Sequence, residues 1–341
     1  MKRLELVIVQ FEEVKRLIEV GRVPQLRLAH ILLDSAVELI MHRMAEAVFH
    51  AERLDFNRLV QLRRLEAMRK SDKPLNRLFG AEGPSDDVLR AEIQRLGEVV
   101  TSVTQRKKTT EFGKRIDFLV GKKKLPEDLA PVLKKLHDYR NETYHRDQHR
   151  VEVIRSAVLI YFDAACTVLD HYQPGMLIGD GSPGPELARF QDGTSFSRQN
   201  PFELPQQVAK QLREGVGLDL EAVRTALVDH LLGRLDDLES GLAYIEENIP
   251  SGAIPGDGVR SMQIEDDDLE AIFDTQVLRS RKYPLTMKDV RSWIDRATAM
   301  EGMGDKHALF AEFAALEDAF EDLEQKVRKA VWGIDEAANM R

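Results

Sequence analysis

The sequence predicts an all-α protein, and three observations carry that expectation. Aromatic residues make up 6% of the 341 positions, while Leu, Ala, Glu and Arg recur throughout, a composition that favours helices over sheets. Apolar side chains repeat at spacings of three and four from the start, as in Leu4, Val7, Ile8, Phe11, Val14, Leu17 and Ile18, which is the period of one buried helical face. Pro and Gly gather between such stretches, as at Pro74, Gly80, Gly83 and Pro84, where they mark loops.

Element by element, the first helix is expected to end at Gly21. Pro24 then opens a second that runs to about Leu54 with an apolar face including Leu28, Leu32, Val37, Ile40 and Met44, since Pro is favoured just inside a helix start. A third follows from about Asp55 to Lys70. Ser85, Asp86 and Asp87 then cap a helix to about Val103. After a basic turn come short helices near 111 to 121 and 126 to 139, and a longer one from about 145 to 172. Residues 173 to 205 hold Pro174, Pro183, Pro185, Pro201 and Pro205 together with five glycines, so a domain boundary is expected there. Beyond it helical spacing resumes in about 206 to 214, 218 to 247, 264 to 281, 286 to 300 and 304 to 332, with Thr286 and Asp289 spaced as a cap. The expected organisation is an N-terminal helical domain over 1–172, a Pro/Gly-rich linker over 173–205, and an acidic helical domain over 206–341.

Charge divides along the same line. Residues 1 to 172 hold 31 Lys and Arg against 26 Asp and Glu, a net charge of +5, whereas residues 173 to 341 hold 18 against 32, a net charge of −14. The single cysteine, Cys166, lies in an apolar stretch and excludes both a disulfide frame and a cysteine metal site. That stretch is interrupted by Asp163 and is too short to span a bilayer. The start, Met1-Lys2-Arg3-Leu4-Glu5, is unlike a signal peptide. These features point to a cytoplasmic protein without a membrane partner.

Chemistry concentrates at Arg140-Asn141-Glu142-Thr143-Tyr144-His145. Arg offers a planar fork of donors to phosphate oxygens, and His can give or take a proton near neutral pH. If this stretch is helical, Asn141 and His145 share a face while Arg140 lies about 140° around from His145. A helix starting near Asn141 or Thr143 would also aim its unpaired N–H groups at an anion; the sequence leaves that start open. Basic residues flank the motif, and Lys122, Lys123, Lys124, Lys134, Arg146 and Arg150 are candidate contacts to a phosphate backbone, with solvated surface runs as the alternative reading.

The segment Leu136-His137-Asp138-Tyr139-Arg140-Asn141-Glu142-Thr143-Tyr144-His145 resembles the signature of the HEPN domain family, in which an Arg, a polar residue and then a His lie near the start of the last long helix. Upstream, Arg27 to Leu39 resembles the second helix of such domains, so the likeness covers roughly residues 1 to 172. The resemblance implies an N-terminal HEPN-like bundle acting as a metal-independent endoribonuclease without a cofactor. Its substrate would be RNA, such as tRNA, cleaved by 2′-OH attack to leave a 2′,3′-cyclic phosphate. Arg140, Asn141 and His145 would be the catalytic residues, with Tyr144 in support; Asp34 and Glu38 read either as groups that face the motif and orient Arg140 or His145 or as ordinary polar-face residues. Family members commonly pair two motifs across a dimer, which implies a homodimer, and the setting would be a toxin or an antiviral defence effector. Some HEPN toxins carry a Tyr two residues after the His that a partner enzyme modifies; Asp147 stands there in this chain, so that control is not implied. The alternative is a non-catalytic HEPN-like module that binds RNA or nucleotide, or dimerises as an adaptor.

Other patterns carry less. Gly179-Asp180-Gly181-Ser182-Pro183-Gly184 spells a dinucleotide loop, but no strand precedes it and Pro185 follows. His30, Asp34, Glu38 and His42 step by four along one helix, and the drift of about 40° per step keeps the full set from converging on a metal. The acidic runs 265–268 and 317–322 read either as solvated faces or as a surface with which residues 206–341 engage a regulatory partner or cover the basic region as a sensor or inhibitor.

Overall fold

The structure, a computed structural model, describes residues 2–70, 85–145, 151–173, 185–188, 190, 203–249, 252–264 and 274–339. Among these residues every regular element is helical, as the composition predicts. In chain order they are α1 (Lys2–Val20), α2 (Val23–Ala51), α3 (Arg53–Lys70), α4 (Asp86–Val99), α5 (Val103–Lys108), α6 (Phe112–Gly121), α7 (Leu129–His145) and α8 (Ile154–Asp170). Then follow α9 (Pro185–Ala188), α10 (Leu204–Val216), α11 (Leu220–Glu247), α12 (Asp257–Ser261), α13 (Thr275–Ser280), α14 (Met287–Ala299) and α15 (Lys306–Asn339), with a 3-10 turn at Met300–Gly302. Most of the linker, the G-x-G-x-x-G pattern and the acidic run 265–268 lie outside the described residues.

Local signals account for several boundaries. Ser85 caps α4 by accepting from the Val88 amide at 3.5 Å, and Thr286 and Asp289 form a reciprocal capping box at α14. The basic turn expected after α4 is instead a helix. Ser102 Oγ accepts from the Gln105 amide at 3.2 Å and the Gln105 side chain accepts from the Ser102 amide at 3.3 Å, a box that satisfies two orphan donors and starts α5. A second correction matters more for the motif. Residues 129 to 145 are one continuous helix, with Pro131 in its first turn, where no intrahelical N–H is needed.

The helices gather into two compact units that interleave along the chain. One comprises residues 1–14, 31–130 and 165–215, the other residues 15–30, 131–164 and 216–341. In the first unit α3 and α4 pack through Leu59, Leu96 and Val100, joined by Phe56, Leu62 and Ile93. Glu52 links three further segments of that unit. It accepts from the Thr101 amide and hydroxyl, both at 3.0 Å, from Arg106 at 3.2 Å and from Lys122 at 2.8 Å. Burial pushes its carboxyl up, but the bonds from Lys122 and Thr101 outweigh that and hold it below the usual glutamate range. The Arg106 guanidinium also lies over Phe49 and Phe56, 4.7 and 4.6 Å from the ring centroids, so its cation is screened by aromatic faces as well as paired.

The second unit is built on α11, α14 and α15. Contacts between Arg224 and Met303, Arg234 and Glu324, and Tyr244 and Asp335 ascend together, so α11 and α15 run parallel. Trp293 against Phe320 and Arg296 against Glu312 set α14 antiparallel to α15. Asp257, fully buried at the start of α12, binds Arg260 at 2.8 Å and Arg279 at 2.6 Å and accepts from the Ile254 amide at 3.0 Å. Its carboxyl is pushed up by burial and pulled further down by Arg279 and the other donors, ending below its ordinary range. Gly256 precedes it at φ 96°, a left-handed conformation that an L side chain strains to adopt.

Two outcomes follow from these contacts. A Cβ at Gly258 would lie 2.5 Å from the Leu242 carbonyl oxygen of α11, so Gly258→Ala must push two backbones apart; it should cost about 1–3 kcal/mol, seen as a lower Tm in a thermal melt. Glu52 and Asp257 titrate lower folded than unfolded, so the stability they confer is complete above the unfolded carboxylate range and is lost as pH falls below about 4. Denaturant titration of wild type and Asp257→Asn should show a steeper acid loss for wild type across that window.

Candidate active site

Helix α7 carries the motif, and its position in the helix decides what the backbone can contribute. Arg140 lies eleven residues after Leu129, about three turns from the N-terminal N–H groups. The motif therefore sits at the carbonyl-bearing end, where the helix dipole is negative, and the amide donors that a helix start near Asn141 or Thr143 would have offered are bonded within the helix. Any anion bound here must rely on side chains.

Arg140 and Asn141 are both half-buried. Arg140 Nη1 donates to Asn141 Oδ1 at 3.0 Å, which holds the guanidinium against its own helix and leaves less rotamer freedom to lose on binding. The side chains of Tyr144 and His145, and all of Arg146 and Arg150, lie outside the described residues. Asp138, one turn before Glu142, has its carboxyl raised by partial burial and by the nearby charges of Glu142 and Asp318, against the opposing pull of His137 and Lys135.

The remaining sequence candidates are distributed between the units. Asp34 is buried in the first unit, and Glu38, exposed in the same unit, pairs with Arg115 at 3.4 Å. Lys122 spends its charge on Glu52 and also donates to the Val99 carbonyl at 3.3 Å, so it is a structural cation. Lys123 and Lys124 are exposed, Lys123 at φ 55°, and Lys134 is half-buried on α7. Of the four histidine and carboxylate positions stepping along α2, His30 bonds the Leu136 carbonyl at 2.8 Å and stands edge-on to Tyr161. Among the described residues no group of three or more His, Cys, Asp or Glu could hold a metal ion. None of their helices is long and apolar enough to cross a membrane.

What sequence reading missed is the set of groups fixing α7. Glu317, the first residue of the acidic run 317–322, is completely buried. Its carboxylate accepts from the Tyr139 hydroxyl and from Arg234, with His230 at 3.7 Å and Lys135 at 3.8 Å. Lys135 also bonds Asp318, and Arg234 makes a two-pronged bond to Glu324 at 3.0 and 2.6 Å with its guanidinium 4.8 Å from the Phe320 ring centroid. Tyr139 adds an edge-on contact to Phe310 at 6.2 Å. A smaller copy of this arrangement fixes α8, where Asp163 binds Lys306 at 2.7 Å and His307 at 3.3 Å. Thus α15 grips the residues immediately before Arg140 and sets the orientation of the motif helix within its unit.

Comparison with protein-family models, with curated proteins and with solved structures finds no match. The candidate site therefore rests on its own residues.

Removing the buried carboxylate tests the grip. Glu317→Ala leaves Lys135, Arg234 and Tyr139 with one partner fewer, and breaking a buried ion pair from one side costs about 3–5 kcal/mol; the lower end is expected because Asp318 and Glu324 remain. Urea unfolding measures it, and a loss under about 1 kcal/mol would show that α7 is held by apolar packing instead.

Proposed function

We propose that the chain is a metal-independent endoribonuclease of HEPN type that cleaves RNA, such as tRNA, in a toxin or antiviral defence setting. The observation that supports it most is the Arg140–Asn141 contact on a firmly anchored helix, because a guanidinium already held in place stabilises developing phosphorane charge without reorganising. In this reading the ribose 2′-OH attacks the adjacent phosphorus and the bond to the departing 5′ oxygen breaks, leaving a 2′,3′-cyclic phosphate and a 5′-OH. His145 gives or takes the proton in these steps, Arg140 takes the phosphate charge, and Asn141 orients the guanidinium. One Arg and one His make a sparse site, so two copies of the motif would line one cleft in a homodimer. Lys123, Lys124, Lys134, Arg146 and Arg150 would supply the backbone attraction, with Lys122 withdrawn from it by Glu52.

One observation favours a second reading. Glu142 lies within the motif and, with Glu152, Asp229 and Glu321, borders a single cavity, and like charges repel a phosphate chain. A non-catalytic module that meets another protein, rather than RNA, accommodates those carboxylates.

Incubating the full chain with total RNA in the presence of a chelator separates the two, with Arg140→Ala and His145→Ala alongside. Cleavage by wild type alone, ending in cyclic phosphate and reduced by at least about a hundredfold in each variant, is the expected result. RNA left intact by all three proteins at concentrations where the dimer forms leaves the adaptor reading.

A further inference from the structure

One side of α3 is left exposed along its whole length. Of the 18 residues of this helix only Leu59 is buried, in the seam where α3 packs on α4. With 3.6 residues per turn, Arg53, Asn57, Gln61 and Arg64 fall within about 80° of one another on the side opposite Leu59, and all four are exposed. Val60 and Met68, 50% and 39% exposed, lie along the same side. From Arg53 to Arg64 the stripe is about 16 Å long.

Charge on this helix is sorted by face. It carries the six cations Arg53, Arg58, Arg63, Arg64, Arg69 and Lys70 against two carboxylates, Asp55 and Glu66, and both acids fall on the Leu59 side. Arg58, Arg69 and Lys70 are spent on Glu92, Asp86 and Glu66 at 3.1, 2.8 and 2.8 Å. Arg53, Arg63 and Arg64 meet no carboxylate among the described residues. The Arg63 guanidinium lies instead against Gly97 of α4, 3.8 Å from where a Cβ would stand, at the edge of the exposed side.

Three unspent guanidiniums and two side-chain amides, with no acid between them, offer donors to phosphate oxygens and to base edges. Single strands are held by stacking their bases on aromatic rings, and this stripe has none, since Phe56 lies under the Arg106 guanidinium. Duplex RNA hides its base edges in a groove too narrow to read, whereas the major groove of B-form DNA, about 12 Å wide, admits a helix.

We propose that the exposed side of α3 docks in the major groove of double-stranded DNA. Arg53, Arg63 and Arg64 lie against phosphates, Asn57 and Gln61 reach base edges, where an amide pairs best with adenine, and Val60 and Met68 meet thymine methyl groups. The stripe covers about five base pairs. Because α3 belongs to the first unit and the motif to the second, the proposal stands apart from RNA cleavage and is read by binding alone.

Fluorescence anisotropy of the full chain with a labelled duplex of about 20 base pairs, titrated over a range of salt concentrations, tests it. Micromolar binding is expected at about 50 mM salt, with a logarithmic salt slope of about −3 that each of Arg53→Ala, Arg63→Ala and Arg64→Ala makes shallower by about 1. Arg53→Ala with Arg64→Ala should weaken binding at least about tenfold, and Lys210→Ala on α10 should leave it unchanged. Wild type should prefer an A·T-rich to a G·C-rich duplex by at least about fivefold, a preference that Asn57→Ala with Gln61→Ala removes. Comparison of wild type on duplex DNA, single-stranded RNA and polyglutamate of equal charge depends on no variant. Absence of duplex binding, equal or tighter binding of the RNA or the polyglutamate, or duplex binding indifferent to all the arginine substitutions overturns the proposal.

Discussion

The buried carboxylate of Glu317 is the constraint on which the second unit depends. A negative charge with no exposure to water is tolerable only where donors surround it, and Tyr139, Arg234, Lys135 and His230 supply them from α7 and α11. Moving any of these helices by a fraction of a turn would strand the charge. The geometry is therefore strongly specified, more than apolar packing alone would achieve, because hydrophobic contacts tolerate sliding and a buried ion cluster does not. Since Tyr139 precedes Arg140, the placement of the motif is inherited from this one residue on α15.

Several cations among the described residues spend their charge inside their own unit. Lys122, a candidate phosphate contact by sequence, meets a carboxylate of its own unit, as Arg106 and Arg115 do. Lys135 does the same with Asp318. The acidic run 317–322 likewise reads as a solvated face, whereas Glu317 and Phe320 are buried and Asp318 is paired.

How much could be read beforehand follows from the range of each interaction. Helix class and most helix cores were open to inspection, because spacing of three and four is set by the backbone within a few residues. The caps at Ser85 and Thr286 were legible for the same reason, while the Ser102–Gln105 box was hidden by the run Arg106-Lys107-Lys108, which draws the eye to charge. The continuity of α7 through the motif was not legible, since the polar stretch from Arg140 to His145 interrupts the apolar spacing that marks a helix in sequence. His230 and His307 showed no partner in sequence because theirs, Glu317 and Asp163, lie 87 and 144 residues away. Arg140 and Asn141 were found because they are neighbours; what anchors their helix was not.

The order of assembly follows from where Glu317 falls in the chain. Synthesis delivers Tyr139, beside the motif, 178 residues before the Glu317 that fixes it, and the unit closes only when segments 15–30, 131–164 and 216–341 have all emerged. Such widely separated pairings make for slow folding. On the ribosome, then, Arg140 travels on a helix without its clamp, and the motif acquires its setting only after Glu317 has emerged.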